Sequence, residues 1–115
     1  MWKFLDKHNL GNPYTLIHPK KQKIVKYLVD NIPNEVDYVI VFGSSIMPYC
    51  QAESDIDVAF VGECEYKDLD RAFVDDQEYD VLIYKSLDEV KQRAFSSRQN
   101  VEREIYENGV LVYER

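Results

Sequence analysis

The chain has 115 residues, enough for one domain with its own core and too few for two. Hydrophobic residues at 45% and charged residues at 30% exclude a disordered or fibrous chain, and two cysteines, Cys50 and Cys64, are too few for a disulfide scaffold or a zinc site. A net charge of −7 argues against a protein that holds nucleic acid by bulk attraction, and the longest apolar run, Tyr38–Phe42, falls far short of the ~20 residues that cross a bilayer.

Residues 1–18 read as an irregular arm, turned at Gly11-Asn12-Pro13 and crowded with Trp2, Phe4 and Tyr14. Those aromatics suit either a flap on the domain's own core or an interface. The arm lacks the apolar stretch of a secretory signal, and with two unremarkable cysteines the expected compartment is the cytoplasm. A helix is predicted from Pro19, because Ile24, Val25, Leu28, Val29 and Ile32 recur at helical spacing. Lys20, Lys21, Lys23 and Lys26 fall mostly off that stripe and read as a solvated basic face. Pro33-Asn34 ends the helix. Tyr38–Phe42 is β-rich, closed by Gly43, and reads as a buried strand. Asp55–Val61 is a second strand ended by Gly62, residues 66–75 a short helix, and Tyr79–Tyr84 a third strand. Ser86 and Glu89 fit a capping box for a helix, a further helix is expected near residues 98–108 ahead of Asn108-Gly109, and Val110–Tyr113 suits a last strand. The expectation is an α/β (α+β) domain over residues 19–115, with a small mixed sheet of three or four strands packed against helices.

Charge is concentrated. Residues 53–80 hold 11 acids against Lys67 and Arg71 alone. Most acidic runs are solvated surface, so the order of the residues must say whether this one is more. Asp55 and Asp57 are two apart, so in a strand they share one face, roughly 6–7 Å apart, while Ile56 and Val58 point to the core. Asp80 sits in the third strand beside Val81-Leu82-Ile83, where a charge demands a partner. Arg71 or Lys85 would serve. If the second and third strands are neighbours, Asp80 instead completes a trio of carboxylates. Such oxygen ligands suit magnesium, and two ions ~4 Å apart stabilise the attacking and leaving oxygens of a phosphoryl displacement. The first strand ends at Gly43-Ser44-Ser45, where backbone amides and the Ser44 hydroxyl can meet phosphate oxygens.

Gly43-Ser44, ten residues, then Asp55-Ile56-Asp57 resembles the signature of the DNA polymerase beta-like nucleotidyltransferases. Ser54–Val58 is similar to the block of their smallest members, the minimal nucleotidyltransferases, and Asp80 falls where that family places its third carboxylate. The lead-in Tyr38–Ser44 and the tail Ile105–Tyr113 look alike as well. The resemblance implies the polymerase beta-like fold and catalysis by Asp55, Asp57 and Asp80. These would bind two Mg2+ ions carrying a nucleoside triphosphate, ATP by expectation, gripped by Gly43 and Ser44. Asp80 would also help to deprotonate a hydroxyl that attacks the α-phosphate and expels pyrophosphate.

The resemblance further implies a partner. Stand-alone minimal nucleotidyltransferases are similar to the antitoxin half of pairs with small helical HEPN toxins, in which AMP passes to a toxin tyrosine. At this length no helical acceptor-binding domain is expected within the chain; self-association is left open. The loop after Gly43-Ser44 departs from the family, which usually carries an arginine there. The triphosphate's counter-charge must then come from Lys85, Arg93, Arg98 or Arg103, and an adenine could stack on Tyr49 or Tyr84. The alternative is a non-catalytic antitoxin or protein-binding module with a degenerate nucleotide cleft.

Overall fold

In the computed structural model, which describes residues 19–43, 55–96 and 100–115, the chain forms three layers. The elements run α1 (Pro19–Asp30), β1 (Val36–Phe42), β2 (Ile56–Gly62), a 3-10 helix (Tyr66–Ala72), β3 (Tyr79–Tyr84), α2 (Leu87–Ala94), α3 (Val101–Asn108) and β4 (Val110–Glu114). The expected arm, and with it Trp2, Phe4 and Tyr14, lies outside the described residues, as do Ser44, Tyr49, Cys50 and Arg98.

The four strands stand in the order β3-β2-β1-β4. β1 is antiparallel to both β2 and β4, whereas β2 and β3 run parallel, so the sheet is mixed as expected. Both faces are covered. Val25 and Leu28 of α1, with Leu69 and Ala72 of the 3-10 helix, pack on Val39, Val41, Ile56, Val58 and Phe60. Val90 of α2 and Ile105 of α3 pack on Ile40, Phe42, Ala59, Val61, Tyr84 and Leu111. This is why Val39–Phe42 is apolar at every position: the strand alternates between two buried layers, with no face in water. At roughly 25 cal/mol per Å2, each fully buried Leu or Ile here contributes on the order of 2 kcal/mol.

Several expectations shift. The short helix predicted over 66–75 is a 3-10 helix that stops at Ala72, with Glu65 and Asp68 forming a reciprocal cap at its start. The Ser86 cap is half of the predicted box. Its hydroxyl accepts from the Glu89 amide at 3.2 Å, but the Glu89 carboxylate reaches the amide of Lys85, one residue too early for a capping box. Lys21 corrects the reading of a solvated basic face, since it is 1% exposed and donates to Gln77 Oε1 at 2.9 Å. Its long apolar stem lies under the loop before β3 while its charge finds an acceptor. Lys23 and Lys26 are exposed, as read.

Candidate active site

Because β1 is antiparallel to β2, the C-terminal end of β1 lies beside the start of β2, and parallel pairing brings the start of β3 to the same sheet edge. The register sets Phe42 opposite Asp57, and Asp57 opposite Asp80. Neighbouring strands lie about 4.8 Å apart, so the last two backbones are as close as a sheet allows. Alternation decides the face. Asp57 shares its side with Ala59 and Val61, and Asp80 with Leu82 and Tyr84, all in the layer under α2 and α3. Both aspartates therefore stand on one face, at one end of the sheet.

Gly43 completes this end. Its φ is +65°, a conformation costly for an L side chain, and a Cβ there would run into the Asp57 carboxylate. The glycine thus turns the chain and leaves Asp57 the space it occupies. Asp57 is half-buried, whereas Asp55 is exposed just ahead of β2, outside the strand that was expected to include it. Asp80 is exposed on an edge strand. The premise that it needs a counter-charge inside an apolar strand is corrected: water solvates it from the open side.

The donor set is chemically right for a hard cation, and two of its members are in register. As they stand, however, no three His, Cys, Asp or Glu side chains among the described residues are grouped to hold a metal ion. The fit is one of donor chemistry and backbone position, short of a closed ligand set.

Of the cations expected to meet the triphosphate, the three that are described, Lys85, Arg93 and Arg103, are elsewhere. Lys85 follows the C-terminal end of β3, five residues from Asp80 and so roughly 16 Å along an extended chain. Arg93 lies over the Tyr84 ring at the same end and pairs with Glu89 at 3.1 Å. Arg103 is in the first turn of α3, which is tied to that end by the Tyr84 hydroxyl donating to Glu102 at 2.7 Å. Tyr84 is no stacking platform either, being 3% exposed with its hydroxyl engaged. Burial, then the Glu102 carboxylate, pushes its pKa far up. The sequence offered no sign of this clasp, because Tyr84 and Glu102 meet only once α3 has packed on the sheet.

Comparison with known proteins decides the family. The sequence pattern of the family "Polymerase beta, Nucleotidyltransferase" matches residues 22–115. The chain belongs to this family. No curated protein matches it. A solved structure from Sulfolobus solfataricus, described as a candidate nucleotidyltransferase, is similar at 21% identity with a TM-score of 0.46, covering 90% of this chain and 85% of that one. Membership in the polymerase beta nucleotidyltransferase family brings a general nucleotidyl-transfer activity and the α+β fold described above. Among the described residues no helix is long and apolar enough to cross a membrane.

Proposed function

We propose that this family member transfers AMP from ATP to a hydroxyl on a protein acceptor, with Asp55, Asp57 and Asp80 as its catalytic carboxylates. The observation that carries this reading is the pairing of Asp57 with Asp80 on one face, beside the Gly43 turn. The acceptor oxygen bonds to the α-phosphorus, the bond to the bridging oxygen breaks, and pyrophosphate leaves. Asp80, exposed at the sheet edge, takes the hydroxyl proton from an acceptor that approaches through solvent. Asp55 and Asp57 orient the triphosphate from the sheet end, while Gly43 and Ser44 hold phosphate oxygens through the turn. Magnesium held by the three aspartates would supply the charge that offsets the triphosphate and its leaving group. Catalysis of this kind is positioning and charge neutralisation, with little covalent work for the protein.

The acceptor we favour is a tyrosine of a small helical HEPN-type toxin, the chain acting as its antitoxin, in line with the resemblance to minimal nucleotidyltransferases. A second reading, a non-catalytic module that neutralises the toxin by contact, is favoured by one observation: among the described residues the carboxylates are not gathered into a three-ligand group. The two separate cleanly. With α-labelled ATP and magnesium, an extract of the native host should yield one labelled protein, and Asp55→Ala or Asp57→Ala should abolish the label without unfolding the chain. Label that survives both substitutions removes the chemistry; protection from the toxin that survives them without label supports the contact reading.

A further inference from the structure

Lys21, in the first turn of α1, is a buried charge that the proposed chemistry leaves unused: it is 1% exposed and donates to Gln77 Oε1 at 2.9 Å. Methionine would fill the same space without desolvating an ammonium, so what the charge adds is a donor. Gln77 passes the contact on. Its Nε2 donates to the carbonyl of Glu78 at 2.7 Å, and the same carbonyl accepts from the Ile56 amide at 3.0 Å. The Gln77 side chain can be oriented only one way here, because an ammonium only donates and a carbonyl only accepts. The bond from Ile56 to Glu78 is the first rung of the β2–β3 ladder, and in the parallel pattern the next rung runs from the Asp80 N–H to the Ile56 carbonyl. Ile56 itself stands between Asp55 and Asp57. One hydrogen-bonded line thus leads from α1 to the rungs beside all three aspartates.

Asp80 is the second residue of an edge strand, held by β2 on one side, and strand ends of this kind open most readily. We infer that Lys21 and Gln77 are positioning residues for the catalytic aspartates: their clamp closes the start of β3 onto β2 and keeps Asp80 opposite Asp57. The inference rests on the reading that these two aspartates act together. The loop between the clamp and the strand is itself tied down. The Gln77 amide donates to the Val74 carbonyl at 3.3 Å, and the Val74 amide donates to the Tyr79 hydroxyl at 3.0 Å. The Tyr79 ring lies against Phe73 with centroids 4.4 Å apart. Movement of Gln77 is therefore carried into Tyr79 and Asp80 instead of being absorbed by slack chain.

Hydrogen exchange of the full chain, followed amide by amide by NMR, reads the clamp without any activity. Lys21→Met should speed exchange of the Asp80 amide about tenfold, while Tyr84 at the far end of β3 and Phe60 in the middle of β2 stay within about twofold. Gln77→Met, at a half-buried position, should do the same and decides the matter even if the buried substitution fails to fold. The double variant should exchange no faster at Asp80 than either single one, as partners in one line require. Gln77→Glu should match Gln77→Met, because a carboxylate still accepts from Lys21 but has no donor for the Glu78 carbonyl. In label transfer from α-labelled ATP, Lys21→Met and Gln77→Met should lower kcat about tenfold or more and leave KM for ATP within about threefold, since the misplacement falls on Asp80. An equal rise at all three amides, or none at Asp80, overturns the clamp; faster exchange at Asp80 with kcat unchanged overturns its part in catalysis. A wild type that transfers no label removes the proposed chemistry instead, and the exchange pattern alone then decides the clamp.

Discussion

Replacing Gly43 with alanine puts the geometry of the proposed catalytic end under a test in which stability and activity should part company. The backbone at this position has φ +65°, and holding an L residue in the left-handed region costs about 1–2 kcal/mol. The new methyl would also stand 2.9 Å from the carboxyl carbon of Asp57 and 3.2 Å from its Cβ. The Asp57 carboxylate must then swing about its first side-chain torsion, giving up its present contacts, while its Cβ shifts by a few tenths of an ångström. Stability should therefore fall by about 1–2 kcal/mol, a urea midpoint lower by about 0.5–1 M, and a domain of ordinary stability stays folded. Activity should fall much further. A displaced catalytic group costs on the order of 100-fold for each ångström, and the turn of Asp57 exceeds that. The assay is label transferred from α-labelled ATP, normalised to folded protein by circular dichroism. Full activity per folded molecule would show that Asp57 is not held where chemistry needs it, and an unchanged midpoint would show that Gly43 bears no backbone strain when substituted.

Asp80→Asn on the open edge should leave stability within about 0.5 kcal/mol in urea titration while abolishing label transfer; a large stability loss would mean the side chain is a structural partner instead. Tyr84→Phe removes a buried hydroxyl that donates to Glu102 and should cost about 1–3 kcal/mol by the same titration. In the wild type, Tyr84 is harder to ionise folded than unfolded, so its contribution is complete below its ordinary value near 10 and declines as pH rises above that. Alkaline unfolding should accordingly flatten in Tyr84→Phe, and an unaltered profile above pH ~10 would contradict the assignment. Lys21→Ala should destabilise more than Lys21→Met, because methionine keeps most of the buried stem while alanine loses stem and hydrogen bond together; equal losses would show that the stem packs against nothing.

The periodicity of Ile24, Val25 and Leu28, the closed run Val39–Phe42 and the glycines at the ends of β1 and β2 were enough to locate α1, β1 and β2, since each signal is local: side-chain spacing, burial and backbone freedom belong to neighbours in the chain. The pairing of Asp57 with Asp80 was legible as a condition, to be met if their strands were adjacent. Lys21 misled for the opposite reason, as a lysine among lysines reads as surface until the loop carrying Gln77 closes over it.

Sequence by itself determined the membership of this chain in its family, because the spacing from Gly43-Ser44 to Asp55-Ile56-Asp57 is written along one stretch of backbone. Tertiary structure alone decided that β3 is an edge, that Asp80 is solvated, and that Lys85 and Arg93 stand at the far end of the sheet. Strand order is set by which apolar faces can be buried together across long separations, and no local pattern records that choice.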